Sequence, residues 1–511
     1  MRVGVATTSR LAADAGAEIA EAGGNAVDAA IAASLVSLVS EPGMVSLAGG
    51  GFLTIWPGND SPNEDPVTVD GAVAMPGLTS KLAPEQAAVR RVVLEYAGGM
   101  ETLIGHGSIA TPGILAAFDL ASRRWGRVSW RTLLKPAIRV AREGFPLSSA
   151  AHRYMMHAHE LIYGWDPASY KALHTEDGRL KPVGDRIEVE HLADTLELIA
   201  EEGAAAFYRG EIGQAIADCI VAGGGLMTRE DLGAYKPAVR KPITQEIGGW
   251  TLATAPPPSL GGAMLAAMLT LCEDQPFERW DKAATDRLVR VQLAMLAHRF
   301  EVLDLTPDLE TQVEELLALA PNGLETFQSP STVHTSATDA EHVACSITVS
   351  AGYGAGVMPP GTGVWMNNAL GELELNRRGF KAWQPGQRLY SNMAPSVARR
   401  RDGTTLAIGS PGADRITTAQ LQAILNHALL GMPLEEAIAQ PRLHVEHAAT
   451  EPRVAFEPGL PVDCLDHPCR AYDRLDAFFG GVGAVRYGDD EGFDLAADPR
   501  RAGATALAGS G

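Results

Sequence analysis

The chain changes its structural character at Thr332. Upstream, the apolar pattern is mostly helical. Downstream it breaks into short β-prone runs, and Thr332 heads the first of them, Thr332-Val333-His334-Thr335-Ser336-Ala337-Thr338-Asp339, with Val343 to Val349 close behind. Helices together with closely spaced strands call for helices flanking stacked sheets, a layered α/β architecture. The same residue constrains chemistry. A threonine hydroxyl is a weak nucleophile unless a base lies beside it. One economical base is the threonine's own α-amino group, which exists only once the preceding peptide bond is cut. That amine titrates near pH 8, so much of it is neutral and basic at physiological pH. The expectation is a precursor that cuts itself between Ser331 and Thr332. Ser-Thr pairs ahead of strands also serve as caps and turns, so the local pattern leaves that reading open.

Elsewhere the pattern gives a coarse map. Met1 to Thr7 reads as a first strand. Leu11 to Ser40 reads as helix interrupted at Gly23-Gly24, with Asn25 as N-cap and Asp28 following it by three. Gly49-Gly50-Gly51 feeds a strand through Trp56. Helices are expected over Ser129–Glu143 (kinked at Pro136), His191–Glu202, Gly210–Ala222, Gly261–Cys272, Asp281–Arg299, Thr306–Leu319, Ile416–Leu430 and Leu434–Gln440. Strands are expected over His342–Val349, Gly363–Asn367, Ser396–Arg399 and Thr405–Ile408, a loop over 321–330, and a flexible tail over Ala502–Gly511.

Composition narrows the function classes. Formal net charge is −20 over 511 residues, which disfavours nucleic acid as a partner. The cysteine count is odd, five, without a framework spacing, which fits reduced thiols. There is no succession of charged, apolar and cleavage segments at the N-terminus, and no apolar run of about 18 residues; a soluble, cytoplasmic protein without membrane contact is expected. Cys464, His467 and Cys469 lack a fourth partner, so no metal site is expected. The glycine runs do not form a dinucleotide fingerprint, and no cofactor is implied.

Several blocks recur in an order that is specific as a set: Gly23-Gly24-Asn25-Ala26-Val27-Asp28-Ala29-Ala30; Glu41-Pro42; Gly49-Gly50-Gly51-Phe52; Thr111-Pro112-Gly113; Pro256-Pro257-Pro258-Ser259-Leu260-Gly261-Gly262; Asn367-Asn368; Ser391-Asn392-Met393-Ala394-Pro395; and Gly409-Ser410-Pro411-Gly412-Ala413-Asp414-Arg415-Ile416. With these the chain resembles the γ-glutamyltranspeptidase family of N-terminal-nucleophile (Ntn) hydrolases, nearly end to end. The resemblance implies an α+β fold, the four-layer αββα sandwich. It implies a large piece, 1–331, and a small piece, 332–511, which associate as a heterodimer within one domain. The family motif Thr-Thr-His-x-Ser-x-x-Asp falls on Thr332, Val333, His334, Ser336 and Asp339, which points to Thr332 as nucleophile.

By the same resemblance Thr348 hydrogen-bonds the nucleophile, and the backbone amides of Gly412 and Ala413 form the oxyanion hole. The substrate-binding positions depart from the family pattern. The arginine that grips a glutamyl α-carboxylate falls on Ala72, and an asparagine falls on Ser350. The Glu/Gln after Asn-Asn falls on Ala369, and the aspartate that pairs with the α-amino group falls on Glu372. Ser391 is kept, while its serine neighbour is Asn392. Losing the guanidinium fork should cost about 1.5–3 kcal/mol of binding. A different small amide is therefore expected in place of the γ-glutamyl compound, with water or an amine as acceptor. A classical glutathione hydrolase-transpeptidase and a catalytically degenerate ligand binder are the alternatives. Arg90 and Arg91 could supply a replacement cation or could sit on a solvated helix face. The short segment between Asn368 and Ser391 lacks a lid loop and is expected to leave the site open to water.

Overall fold

The computed structural model describes the chain except residues 59–63, 96–98, 274–276, 320–331, 413, 447–450, 502 and 510–511, and of Cys464 only the backbone. Ser331, Ala413 and the expected loop 321–330 therefore lie outside the described residues.

Two antiparallel sheets form the centre. In chain order their strands are β1 (Val3–Thr7), β2 (Gly50–Trp56), β3 (Val67–Gly71), β4 (Ala238–Arg240), β5 (Ile243–Ile247), β6 (Trp250–Thr254), β7 (Val333–Asp339), β8 (Ala344–Ser350), β9 (Ser396–Arg400), β10 (Thr405–Gly409), β11 (Gly483–Gly488), β12 (Gly492–Ala497) and β13 (Ala504–Ala508). The first sheet runs β13-β1-β7-β8-β2-β3-β4, the second β12-β11-β10-β9-β6-β5. Small polar side chains stitch the two faces together. Ser336 donates to the Gly483 carbonyl at 3.1 Å and Ser346 to the Ile408 carbonyl at 3.0 Å.

Helices cover the outer faces. Over the first sheet lie α1 (Arg10–Glu21) and α2 (Ala26–Ser40); over the second lie α3 (Leu260–Glu273) and α4 (Arg415–Ile424). The αββα sandwich is thus the observed fold. Helix α2 is buried along all 15 residues, as its alanine-rich sequence permits. It starts where expected: Asn25 accepts from the amides of Val27 and Asp28, and Asp28 returns a bond to the Asn25 amide at 3.1 Å.

Four expectations are corrected. The tail is not loose: Ala504–Ala508 closes the edge of the first sheet beside β1. Gly363–Asn367 forms no strand; the Asn367 side-chain amide takes over the pairing, donating to the carbonyls of Ala48 (2.8 Å) and Ala110 (2.9 Å). The helix from Arg415 stops at Ile424 and continues as one π-turn, Leu425–Leu429. Arg90 and Arg91 lie on a two-stranded hairpin, Arg90–Leu94 with Met100–Ile104. There Arg91 pairs with Glu101 and Arg90 bonds the Leu161 carbonyl, so neither supplies a cation to the Thr332 cavity.

Candidate active site

Thr332 stands one residue before β7 and is 2% exposed. It lines a narrow cavity of about 40 Å³ together with Ala72, Ser350, Glu372, Ser391 and Asn392. Every expected substrate-binding position therefore meets Thr332 in one place. Val73, Ala369, Leu375, Leu389, Tyr390 and Met393 complete an apolar wall. Among the described lining residues there is no lysine, arginine or histidine, and Glu372 is the single acid. From the short 369–390 segment Leu375, Leu389 and Tyr390 line this cavity, with Trp383 edge-on against Tyr390 at 4.8 Å.

The position of Ala72 is held from behind. Its amide donates to Asp70 at 2.9 Å and its carbonyl accepts from Tyr235 at 2.6 Å. Asp70 in turn is paired with Arg240 at 2.8 Å. On the opposite wall, Ser391 and Asn392 sit on the start of α3. The Leu260 amide donates to the Ser391 carbonyl at 2.7 Å. A Cβ at Gly261 would lie 1.9 Å from the Asn392 carbonyl oxygen, so only glycine lets the two segments meet there. The Asn392 amide donates to Asp414 at 3.0 Å, and Arg299 holds the same carboxylate oxygen at 2.9 Å. Burial raises the Glu372 pKa well above the usual carboxylate range, and the nearby Glu374 adds to that rise.

Beneath Thr332 runs a buried hydrogen-bond chain whose direction follows from its end. The Gly483 carbonyl can only accept, so Ser336 spends its proton there. The Ser336 oxygen must then accept from His334 Nε2–H, at 2.7 Å. Burial pushes the His334 pKa down to about 3, so the ring is neutral and Nδ1 carries a lone pair. Thr348, the register partner of His334 on β8, donates its hydroxyl proton to that Nδ1 at 2.9 Å. The Thr348 oxygen is left as an acceptor for any further donor. The ring fits between the sheets because Gly409 has no side chain: a Cβ there would stand 2.1 Å from the imidazole.

Asp339, the last motif residue, is an anchor. It accepts from the amides of Ala26 (3.0 Å), Glu341 (2.9 Å) and Val343 (3.0 Å), which ties the end of β7 to the start of α2. Gly412 has φ +121°, a conformation that favours glycine. It lines a second, larger cavity and not the one containing Thr332.

The family model for γ-glutamyltranspeptidase matches residues 12–320 and 305–508. The chain belongs to the γ-glutamyltranspeptidase family. It is 28% identical over 97% of its length to the glutathione hydrolase proenzyme of Escherichia coli (strain K12), covering 90% of that protein. It is 30% identical over 95% of its length to the Acylase ACY 1 proenzyme of Pseudomonas sp. (strain V22), again covering 90%. The cephalosporin acylase structure from Bacillus halodurans shares the fold with TM-score 0.82 at 24% identity, covering 100% of this chain and 96% of that one. As a γ-glutamyltranspeptidase family member, this protein is an Ntn-type amidohydrolase or acyltransferase.

Sequence reasoning did not anticipate the apolar wall of Leu375, Leu389, Tyr390 and Met393, since nothing in their local pattern separates them from ordinary core residues. It did not anticipate the Ser336–His334–Thr348 chain as a directed unit, although the i, i+2 spacing of His334 and Ser336 on a strand puts both on one face.

Proposed function

We propose that this protein cuts its own backbone between Ser331 and Thr332 and then hydrolyses or transfers a small acyl group from an amide that is not γ-glutamyl. The new α-amine of Thr332 takes the hydroxyl proton, Oγ bonds to the amide carbon, and the C–N bond breaks as that proton passes to the leaving amine. Water, or a second amine, then attacks the ester and returns the proton to Thr332 Oγ. Thr348, aimed by His334, hydrogen-bonds the Thr332 nucleophile. By the family resemblance the oxyanion donors would be the backbone amides of Gly412 and Ala413. The pieces 1–331 and 332–511 stay together as a heterodimer.

One observation carries the choice of substrate: among the described residues lining the Thr332 cavity none is a cation that could hold an α-carboxylate, the arginine position being Ala72. A zwitterionic glutamyl group would leave its carboxylate buried and unpaired. A neutral acyl chain suits the walls of Val73, Leu375, Leu389 and Met393, and Glu372, whose protonated form burial favours, stands by for a polar atom on it. The Acylase ACY 1 proenzyme among the relatives favours this reading; the glutathione hydrolase proenzymes favour the classical substrate, which the cavity opposes. The thiols of Cys219, Cys272, Cys345 and Cys469 are free, in keeping with a reducing, cytoplasmic setting, and no helix among the described residues is long and apolar enough to cross a membrane.

A denaturing gel with N-terminal sequencing should show two unequal fragments, the smaller beginning at Thr332, and Thr332→Ala should give one band and no turnover. A single uncut band from the wild type would identify a ligand binder. A panel of γ-glutamyl anilide, oxamate and neutral acyl anilides should show turnover of the neutral acyl anilides alone; strong turnover of either carboxylate-bearing compound would overturn the substrate assignment.

A further inference from the structure

The cavity on the other side of Gly412 is basic. It measures about 400 Å³ and is lined by Arg153, Arg415, Arg470, Arg500 and Arg501. Such a cluster is at odds with a chain whose formal charge is −20, and a concave wall of guanidinium groups focuses potential on a small anion. Buried carboxylates account for part of it. Arg500 is held by Glu457 (2.8 Å) and Asp498 (3.2 Å), and Arg470 shares Glu446 with Arg453. The single acid on the lining itself is Asp476, which accepts from the Phe478 amide. Arg415 donates to the Phe478 carbonyl at 3.0 Å, and Arg501 to the carbonyls of Ala477 (3.2 Å) and Gly480 (3.1 Å). Carbonyls fix a guanidinium without cancelling its charge. Arg153 reaches the rim, exposed, from the helix Ser149–Ala158.

The arginines are also stacked. Phe478 lies between Arg415 (4.8 Å) and Arg470 (5.3 Å), and Arg470 also covers Tyr472 at 4.8 Å. Stacking fixes the planar forks, so less freedom is lost when they bind a carboxylate. The cavity reaches the turn that carries the expected oxyanion donors: a Cβ on Gly412 would stand 3.3 Å from Arg501 Nη2. Among the described residues, the lining of the Thr332 cavity holds no cation. The two cavities thus divide the charge: a neutral pocket for the acyl side and a basic pocket beyond the oxyanion turn.

We propose that this basic cavity is a subsite for a carboxylate carried on the amine portion of the amide, gripped between Arg153 and Arg470. The amine-side assignment rests on the acyl-transfer reading above; the anion site itself does not. Calorimetry on the mature wild-type protein should show 3-aminobenzoate binding about tenfold or more tightly than aniline, with the difference shrinking as salt is added. The double variant Arg153→Gln/Arg470→Gln leaves Glu446 with Arg453 and should keep the wild-type melting point while abolishing the preference. Arg153→Glu alone should weaken 3-aminobenzoate and leave aniline unchanged. In turnover of one acyl group, the 3-carboxyanilide should have the lower KM in the wild type and lose that advantage in the double variant, with kcat unchanged. Equal binding of the two probes, or a preference that survives both variants, overturns the site. Aminobenzoate binding that holds while no amide is turned over would instead count against the catalytic reading and the amine-side assignment alone.

Discussion

His334 is fixed in one tautomer by a serine that can only spend its proton on the Gly483 carbonyl, and this makes Thr348 a donor to Nδ1. His334→Asn places an amide oxygen near the Nδ1 position and keeps an acceptor for Thr348, whereas His334→Gln places its amide near Nε2 and loses it. Steady-state turnover should fall by about tenfold more in the glutamine variant than in the asparagine variant; equal losses would mean the imidazole merely fills space. The ring also sets a pH limit. With an ordinary value of 6.5 and a folded value of about 3, the unfolded chain holds a proton through that interval that the folded chain refuses. The stability contribution is complete above about pH 6.5 and is lost as pH falls toward 3. By pH 5 the loss is about 2 kcal/mol, and the drop in unfolding free energy between about pH 7 and 5 should shrink by that amount in His334→Asn. Glu372→Gln should leave turnover of a neutral acyl amide within about threefold, since burial favours the protonated carboxyl that the amide mimics; a loss of about 100-fold would show that its charge binds substrate. That Ala72, Ser350, Glu372, Ser391 and Asn392 would come together around Thr332 was legible from the aligned family positions they occupy. Arg153, Arg415 and Arg470 share a cavity from three distant segments and carry no common local signal.

Among the elements, those with strong local signals were readable. Asn25 and Ser129 cap their helices as their residue types suggest, and the proline-rich entry to α3 stops where the chain turns. The strands β5, β6, β11 and β12 were not, because they owe their form to neighbours across the sheet; β13 is rich in alanine and reads as tail until β1 lies beside it. Element junctions are where substitutions should cost most. Asp339 satisfies three backbone amides at the end of β7 and the start of α2, so Asp339→Ala should lower the unfolding free energy by about 3 kcal/mol, measured in urea. Gly409→Ala would drive a methyl group into the His334 ring and should cost about 1–3 kcal/mol as the sheets part. A variant of either kind as stable as the wild type would show that the junction has another support.

At the scale of the molecule, the order of strands decides what a cut before Thr332 would do. In the first sheet β1 lies between β13 and β7, and β8 lies against β2; in the second, β9 lies against β6. Strands β1 to β6 belong to 1–331 and β7 to β13 to 332–511, so ladders join the two pieces at four places, and each piece alone would expose unpaired edges on both sheets. Helix α2, from the large piece, is buried against β7 and β8 of the small one, so the two pieces share the core under the first sheet. Cleavage removes one covalent bond and none of these contacts. The cut protein should therefore elute in native size exclusion where the uncut Thr332→Ala chain does, and both pieces should be lost together in one cooperative transition on heating or in urea. Deleting 503–511 strips β13 from β1 and should make the protein aggregate through that bare edge. Elution of two separate pieces without denaturant, or unfolding of one piece ahead of the other, would mean that the interleaved ladders do not bind the halves and that the small piece folds by itself.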